Sequence, residues 1–244
     1  MQMSQFHYLP LSAGFFSVLA ALLLGLFVLL LVLDLLRHAY LNLGVSPRAA
    51  MYLLVGSLIG SYFNIPIAEL PGEPVTASQT ITFFGIQYNV PVVAYSAGTV
   101  IAVNVGGAVI PALMSIYLLI VHNLWVKGAI ATAIVALVLH WLAQPVPGIG
   151  IAVPVIFPAV ITAIVALVLS REFASPLAYI GGGLGTLIGA DLTNLDEVRG
   201  LGAPVASIGG AGTFDGIFLT GILAVLLAGL FHHRQRAREA SLQG

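Results

Sequence analysis

The most constraining feature of this chain is its apolar runs, which no comparable supply of charge balances. Between Val18 and Leu36 the only ionisable side chain is Asp34, and similar runs recur through all 244 residues. Only 7% of residues are charged and 59% are hydrophobic. A soluble domain carries about 25% charged residues. Such an inventory cannot cover a water-facing surface, so the sequence predicts an integral membrane protein. Disorder is excluded by the same numbers. Nucleic-acid binding is excluded because basic residues cluster only in the tail, at Arg234, Arg236 and Arg238. With no cysteine, disulfides, thiolate metal sites and cysteine nucleophiles are excluded as well.

A spanning helix needs about 20 mainly apolar residues. Stretches 12–36, 47–63, 97–121, 125–143, 149–169, 175–191 and 213–232 are the candidates. They predict an all-α integral membrane fold of seven transmembrane helices in the cell (plasma) membrane. The opening MQMSQFHYLPLSAG lacks Lys and Arg, and the apolar run after it is too long for a signal peptide, so the first helix is expected to be retained. Under this count, Arg37, Arg48, Lys127, Arg171, Arg234, Arg236 and Arg238 share one side, and only Arg199 falls on the other. Basic residues favour the cytoplasmic side. The expected orientation is therefore N-terminus outside and C-terminus cytoplasmic, in a single membrane domain over 1–244 with a basic tail at 233–244.

Two connections are long, and both fall on the outer face. Segment 64–96 begins irregularly, with Pro66, Pro71 and Pro74. Thr80–Phe84 and Ile86–Val90 then surround Gly85 and are rich in β-branched and aromatic residues, which predicts a small β-hairpin cap. Segment 192–212 begins polar and ends small and apolar, which suits an outer-face or re-entrant loop. Gly181, Gly185 and Gly189 are spaced by four, as are Gly56 and Gly60. Such faces let helix backbones approach closely in lipid.

Charged groups at membrane depth are costly, and so are candidates for function. Asp191 closes the sixth stretch and Asp215 opens the seventh. Two antiparallel helices would bring them to similar depth. At close range, like-charge repulsion raises one carboxyl pKa, and a proton-sharing pair can serve as acid and base. Each also has a structural explanation, as a helix-end residue meeting water or as support for a first helical turn. Asn64, Asn104, His140 and Asn194 lie toward the same outer end and could orient substrate or water. His140 beside Trp141 equally suits an interfacial anchor. No metal-ligand spacing such as HExxH occurs, and no metal or cofactor is expected.

The segments GSYFNIPIAEL (60–70), IAVNVGGAVIP (101–111), HWLAQPVPGIGIAVP (140–154), GADLTNL (189–195) and GGAGTFDGIFLTGILA (209–224) resemble a family of uncharacterised multi-pass membrane proteins. That family is catalogued as domain of unknown function sixteen-fourteen. A second, interrupted similarity is to intramembrane aspartyl proteases with a Gly-x-Gly-Asp signature. Here Gly210-Ala211-Gly212 is separated from Asp215 by Thr213 and Phe214, and Ala190 precedes Asp191. The protease resemblance implies a hydrolase in which Asp191 and Asp215 activate a water against a peptide substrate. Two other functions suit the same residues. One is a proton- or cation-coupled transporter or channel, with carbonyls freed at Pro154 and Pro158 lining the path. The other is an accessory or scaffold subunit bound to a membrane-protein partner. Membrane lipids are expected contacts in all three.

Overall fold

Helix α1 (Ala13–Asn42) shows where the apolar surplus goes. Only its last third joins the core, through Leu36, Ala39 and Tyr40. The preceding turns stand clear of the bundle, with Leu22 66% and Leu24 63% exposed. The computed structural model describes residues 13–71, 74–83, 86–95, 98–146, 150–154, 156–198, 204–210, 217 and 220–230.

Helix α2 (Pro47–Gly60) starts where Ser46 Oγ accepts the Ala49 amide and Pro47 occupies the first turn. Strand β1 (Asn64–Leu70) follows, then a hairpin of β2 (Pro74–Phe83) and β3 (Ile86–Tyr95). Its strands are longer than the two runs around Gly85, and their pairing runs from Pro74 with Tyr95 to Phe83 with Ile86. Strand β4 (Thr99–Asn104) leads through a π-turn (Val105–Val109) into α3 (Ile110–Val121). Helix α4 (Trp125–Leu142), the short pair β5 (Gln144–Val146) and β6 (Gly150–Ala152), and α5 (Ile156–Leu169) come next. Helix α6 (Ala174–Thr186) ends in a second π-turn (Leu187–Asp191) and a 3-10 segment (Leu192–Val198). Strand β7 (Val205–Ile208) and an apolar helix α7 (Thr220–Leu230) complete the described chain. A three-stranded sheet runs β1-β4-β7, with β1 antiparallel and β7 parallel to β4.

The expectation of an all-α protein with seven spanning helices is not met. The described chain is mostly helical, but it contains β-sheets. Among the described residues, two helices are long and apolar enough to cross a membrane, Ser17–Asn42 and Trp125–Leu142. These two suit a membrane protein by length and composition. The third apolar stretch, 97–121, begins as β4 because Thr99, Val100, Ile101 and Val103 are β-branched. The fifth, 149–169, begins as β6, and its helix starts only after Pro154. The second and sixth yield helices of 14 and 13 residues, about 20 Å at 1.5 Å per residue. The assignment of Lys and Arg to opposite faces depended on that helix count and falls with it.

Helix α6 is the hub. Every described side chain from Leu177 to Gly183 is buried. Its glycines let neighbours in on several faces. A Cβ on Gly181 would lie 3.3 Å from that of Ala131 in α4, and one on Gly185 would lie 2.7 Å from that of Val135. Gly182 meets Gly221 of α7, and Gly183 meets Ser115 of α3. The expected packing face is thus occupied by α4. In α2, Gly60 abuts Gly106, whereas Gly56 has only Ile110 Cδ1 at 3.7 Å. The main core joins Tyr40, Leu54, Leu118, Leu177, Ile180, Ile222 and Val225. A smaller one, Ile101, Ala108 and Ile208, lies at the sheet.

Candidate functional site

The polar residues gather where the sheet meets the ends of α2 and α6. Asn64 opens β1 directly opposite Asn104, which closes β4. Asn104 is buried. Its amide nitrogen donates to the Ser61 carbonyl at 2.8 Å and to Asn64 Oδ1 at 3.0 Å. Its Oδ1 accepts from the Gly107 amide at 2.8 Å and so caps the first π-turn. Both amide hydrogens and the carbonyl oxygen are therefore used, as a buried asparagine requires. Ser207 of β7 reaches the same point. Its Oγ lies 2.6 Å from Asn64 Oδ1 and 2.6 Å from the Gly210 carbonyl, so one hydroxyl hydrogen faces two acceptors.

Asp191 ends the second π-turn. Its Oδ2 accepts from the Gly209 amide at 2.6 Å, the short distance of a charge-assisted bond. Gly209 has φ +88°, and a Cβ there would stand 2.6 Å from both the amide nitrogen and the Cβ of Ala108. The turn after β7 thus presses on the first π-turn while its amide faces Asp191. Burial lifts the Asp191 carboxyl from its ordinary value of 3.8 to about 6, and the Gly209 bond only partly opposes this. Among the described residues, no cation pairs with it; the ion pair found there joins His38 Nδ1 to Asp34 Oδ2 at 3.4 Å.

Beyond Asp191 the helix end is closed by side chains. Buried Asn194 donates to the Gly189 and Ala190 carbonyls, each at 2.9 Å. Thr193 Oγ1 donates to the Gly189 carbonyl at 2.8 Å. These are carbonyls that a helix terminus otherwise leaves unpaired. His140, at the exposed end of α4, has Nδ1 3.0 Å from Thr193 Oγ1. That hydroxyl gives its hydrogen to Gly189, so His140 Nδ1 is the donor.

The structure therefore brings Asn64 and Asn104 into direct contact. It links Asp191 to them through β7, since Gly209 and Ser207 are two residues apart on one segment. His140 and Asn194 belong to the helix-end closure around Thr193. Asp215 lies outside the described residues, and the Asp191–Asp215 pair with it. Sequence reasoning missed Ser207, Gly209 and Thr193. The signal for the first two was ASIGG at 206–210, where small residues precede two glycines that can adopt positive φ.

Chemically, the arrangement directs its side-chain donors mainly at backbone carbonyls, and it contains the Asp191 carboxyl, which burial raises to about 6. No curated protein and no solved structure matches the chain. A family model described as "Protein of unknown function (DUF1614)" matches residues 58–227, from the last turn of α2 through the sheet and the helical hub to most of α7, and the chain belongs to that family.

Proposed function

We propose that the chain is a membrane-integral scaffold or accessory protein of the cell membrane, whose polar cluster fastens the sheet to the helices rather than performing chemistry. The membrane part of the reading is supported by α1. A helix whose leucines stand more than half exposed, such as Leu22, Leu24 and Leu26, needs an apolar surrounding. The scaffold part is carried by one observation: the site residues bind protein backbone. Asn104 holds Ser61 and Gly107, Asn194 holds Gly189 and Ala190, and Asp191 holds Gly209.

The test compares Asp191→Asn with Asp191→Ala. Asparagine keeps an oxygen for the Gly209 amide and removes the buried charge; alanine leaves that amide without its acceptor. A folded-state carboxyl raised to about 6 from 3.8 stabilises the fold fully below pH 3.8, and that contribution is lost as pH rises through 6. Above pH 6 the charged group costs on the order of 1–3 kcal/mol. Asp191→Asn is therefore expected to unfold at a higher temperature than the wild type at pH 8 in detergent, with the difference shrinking toward pH 4. Asp191→Ala, which also removes the charge, is expected to be about 1–3 kcal/mol less stable than Asp191→Asn. In a deletion strain, Asp191→Asn should restore whatever the wild-type chain restores. Restoration lost in the asparagine variant, with folding intact, would refute the scaffold reading.

A second reading is favoured by the raised Asp191 carboxyl itself. A group that titrates near pH 6 can load and release a proton, as a proton-coupled transporter requires. On that reading, Asp191→Asn folds normally and abolishes proton-dependent flux in reconstituted vesicles.

A further inference from the structure

The end of α1 carries a second polar feature, beside the start of α6 and so at the opposite end of that helix from Asp191. A cavity of about 120 Å³ is lined by Asn42, Arg171, Glu172, Ala174, Ser175, Pro176 and Gly229. It is formed by the last residue of α1, the α5–α6 connection, the first turn of α6 and the end of α7. On the same measure a single water needs about 10–15 Å³, so the space suits a group several times larger. Among the described residues, neither Arg171 nor Glu172 is in an ion pair, and no side chain caps the start of α6. Arg171 and Glu172 are both exposed, so each is available to a ligand.

Position narrows the class of ligand. Asn42 is the final residue of the apolar span Ser17–Asn42, which at 1.5 Å per residue outlasts a hydrocarbon core of about 30 Å. On the membrane-integral reading the cavity therefore lies at headgroup level, at the core-packed end of α1, and acyl chains can lie along the exposed apolar turns between Val18 and Leu35 of the same helix. An anion alone is poorly matched, because Glu172 lines the same space as Arg171. A cation alone is disfavoured by Arg171. A headgroup with both signs fits: a phosphate for the Arg171 guanidinium, with Asn42 and Ser175 as neutral donors, and a primary ammonium for Glu172.

We propose that this cavity binds the phosphoethanolamine headgroup of a phospholipid. The proposal rests on the membrane-integral reading above. The two are separated by alkaline extraction of native membranes. Release of the full chain overturns both. Retention keeps the membrane reading and leaves the site to the binding measurement.

That measurement is thermal unfolding of the detergent-purified full chain, titrated with phosphatidylethanolamine, phosphatidylglycerol, phosphatidylcholine and free phosphoethanolamine. The expected result is stabilisation by phosphatidylethanolamine at concentrations at least fivefold below those needed for the other two lipids. Arg171→Gln should weaken the ethanolamine lipid at least tenfold. Glu172→Gln should erase its advantage over phosphatidylglycerol while leaving a phosphate-dependent response. Both residues are exposed, so the variants should fold, and unchanged lipid-free unfolding temperatures check this. Equal response to all three lipids, or an unaffected Arg171→Gln, overturns the proposal. Free phosphoethanolamine acting as strongly as the lipid overturns the lipid assignment in favour of a water-soluble ligand.

Discussion

Gly106→Ala is expected to prevent accumulation of folded protein, whereas Gly56→Ala is expected to leave it unchanged or slightly improved. A Cβ on Gly106 would overlap the Ser57 carbonyl oxygen and the Ser61 amide, and would stand 2.6 Å from Ser61 Oγ. Two of those three atoms are backbone, so a rotamer change cannot relieve the clash. Relief requires opening the seam between α2 and the first π-turn, where Gly60 already abuts Gly106. Overpacking of this kind costs about 3 kcal/mol or more. Gly56 shares a face with Gly60, yet its nearest neighbour is a side-chain methyl at 3.7 Å. Alanine there gains helix propensity of up to about 1 kcal/mol. Yield and unfolding temperature in detergent read both outcomes. Equal behaviour of the two variants would show that the seam is not a tight contact.

Asn104→Ala is the second large loss. It strips the buried Ser61 carbonyl of its side-chain donor, takes the cap from the Gly107 amide and removes the donor to Asn64. Buried groups left without partners cost about 1–3 kcal/mol each, so the sum is on the order of 3–5 kcal/mol. Asn64→Ala should cost about 1 kcal/mol, because Asn64 is exposed and water can replace its side chain. Asn104→Asp tests the mechanism rather than the volume. It keeps an oxygen for Gly107 but loses both hydrogens for Ser61 and Asn64, so it should remain nearly as damaging as alanine. Denaturant or thermal unfolding of the three variants ranks them.

Much of the packing was legible from residue spacing. The four-residue repeat of Gly181, Gly185 and Gly189 faces α4, because α-helical geometry leaves little choice once a face is glycine-lined. The residues around Gly85 belong to a hairpin, as their β-branched and aromatic composition suggests. The polar end was legible in part. Asn64 and Asn104 meet, but through strand pairing rather than through the facing helices that the apolar stretches implied. Hydropathy is blind to this distinction. Thr99-Val-Ile-Ala-Val103 is apolar enough for a membrane helix and β-branched enough for a strand, and pairing with β1 and β7 decides the outcome. The role of Gly209 was hidden for a related reason. Its amide finds Asp191 only after β7 aligns with β4, and no local pattern encodes that register. The π-turns left no signature either, since one extra residue in a helical turn leaves the apolar composition unchanged.

Strand β4 is shared between partners made at very different times. Antiparallel β1 precedes it by a hairpin, whereas parallel β7 follows only after α3, α4, α5 and α6, with Val100 pairing to Val205. During synthesis one side of β4 must therefore wait, its backbone groups unpaired, until four further helices have emerged. An open strand edge is a template for wrong partners, and such distant pairing slows folding. A nascent chain interrupted before Val205 would carry that edge bare. The joint fastened by Asp191 and Ser207 thus closes late, with α7 still to pack against α6.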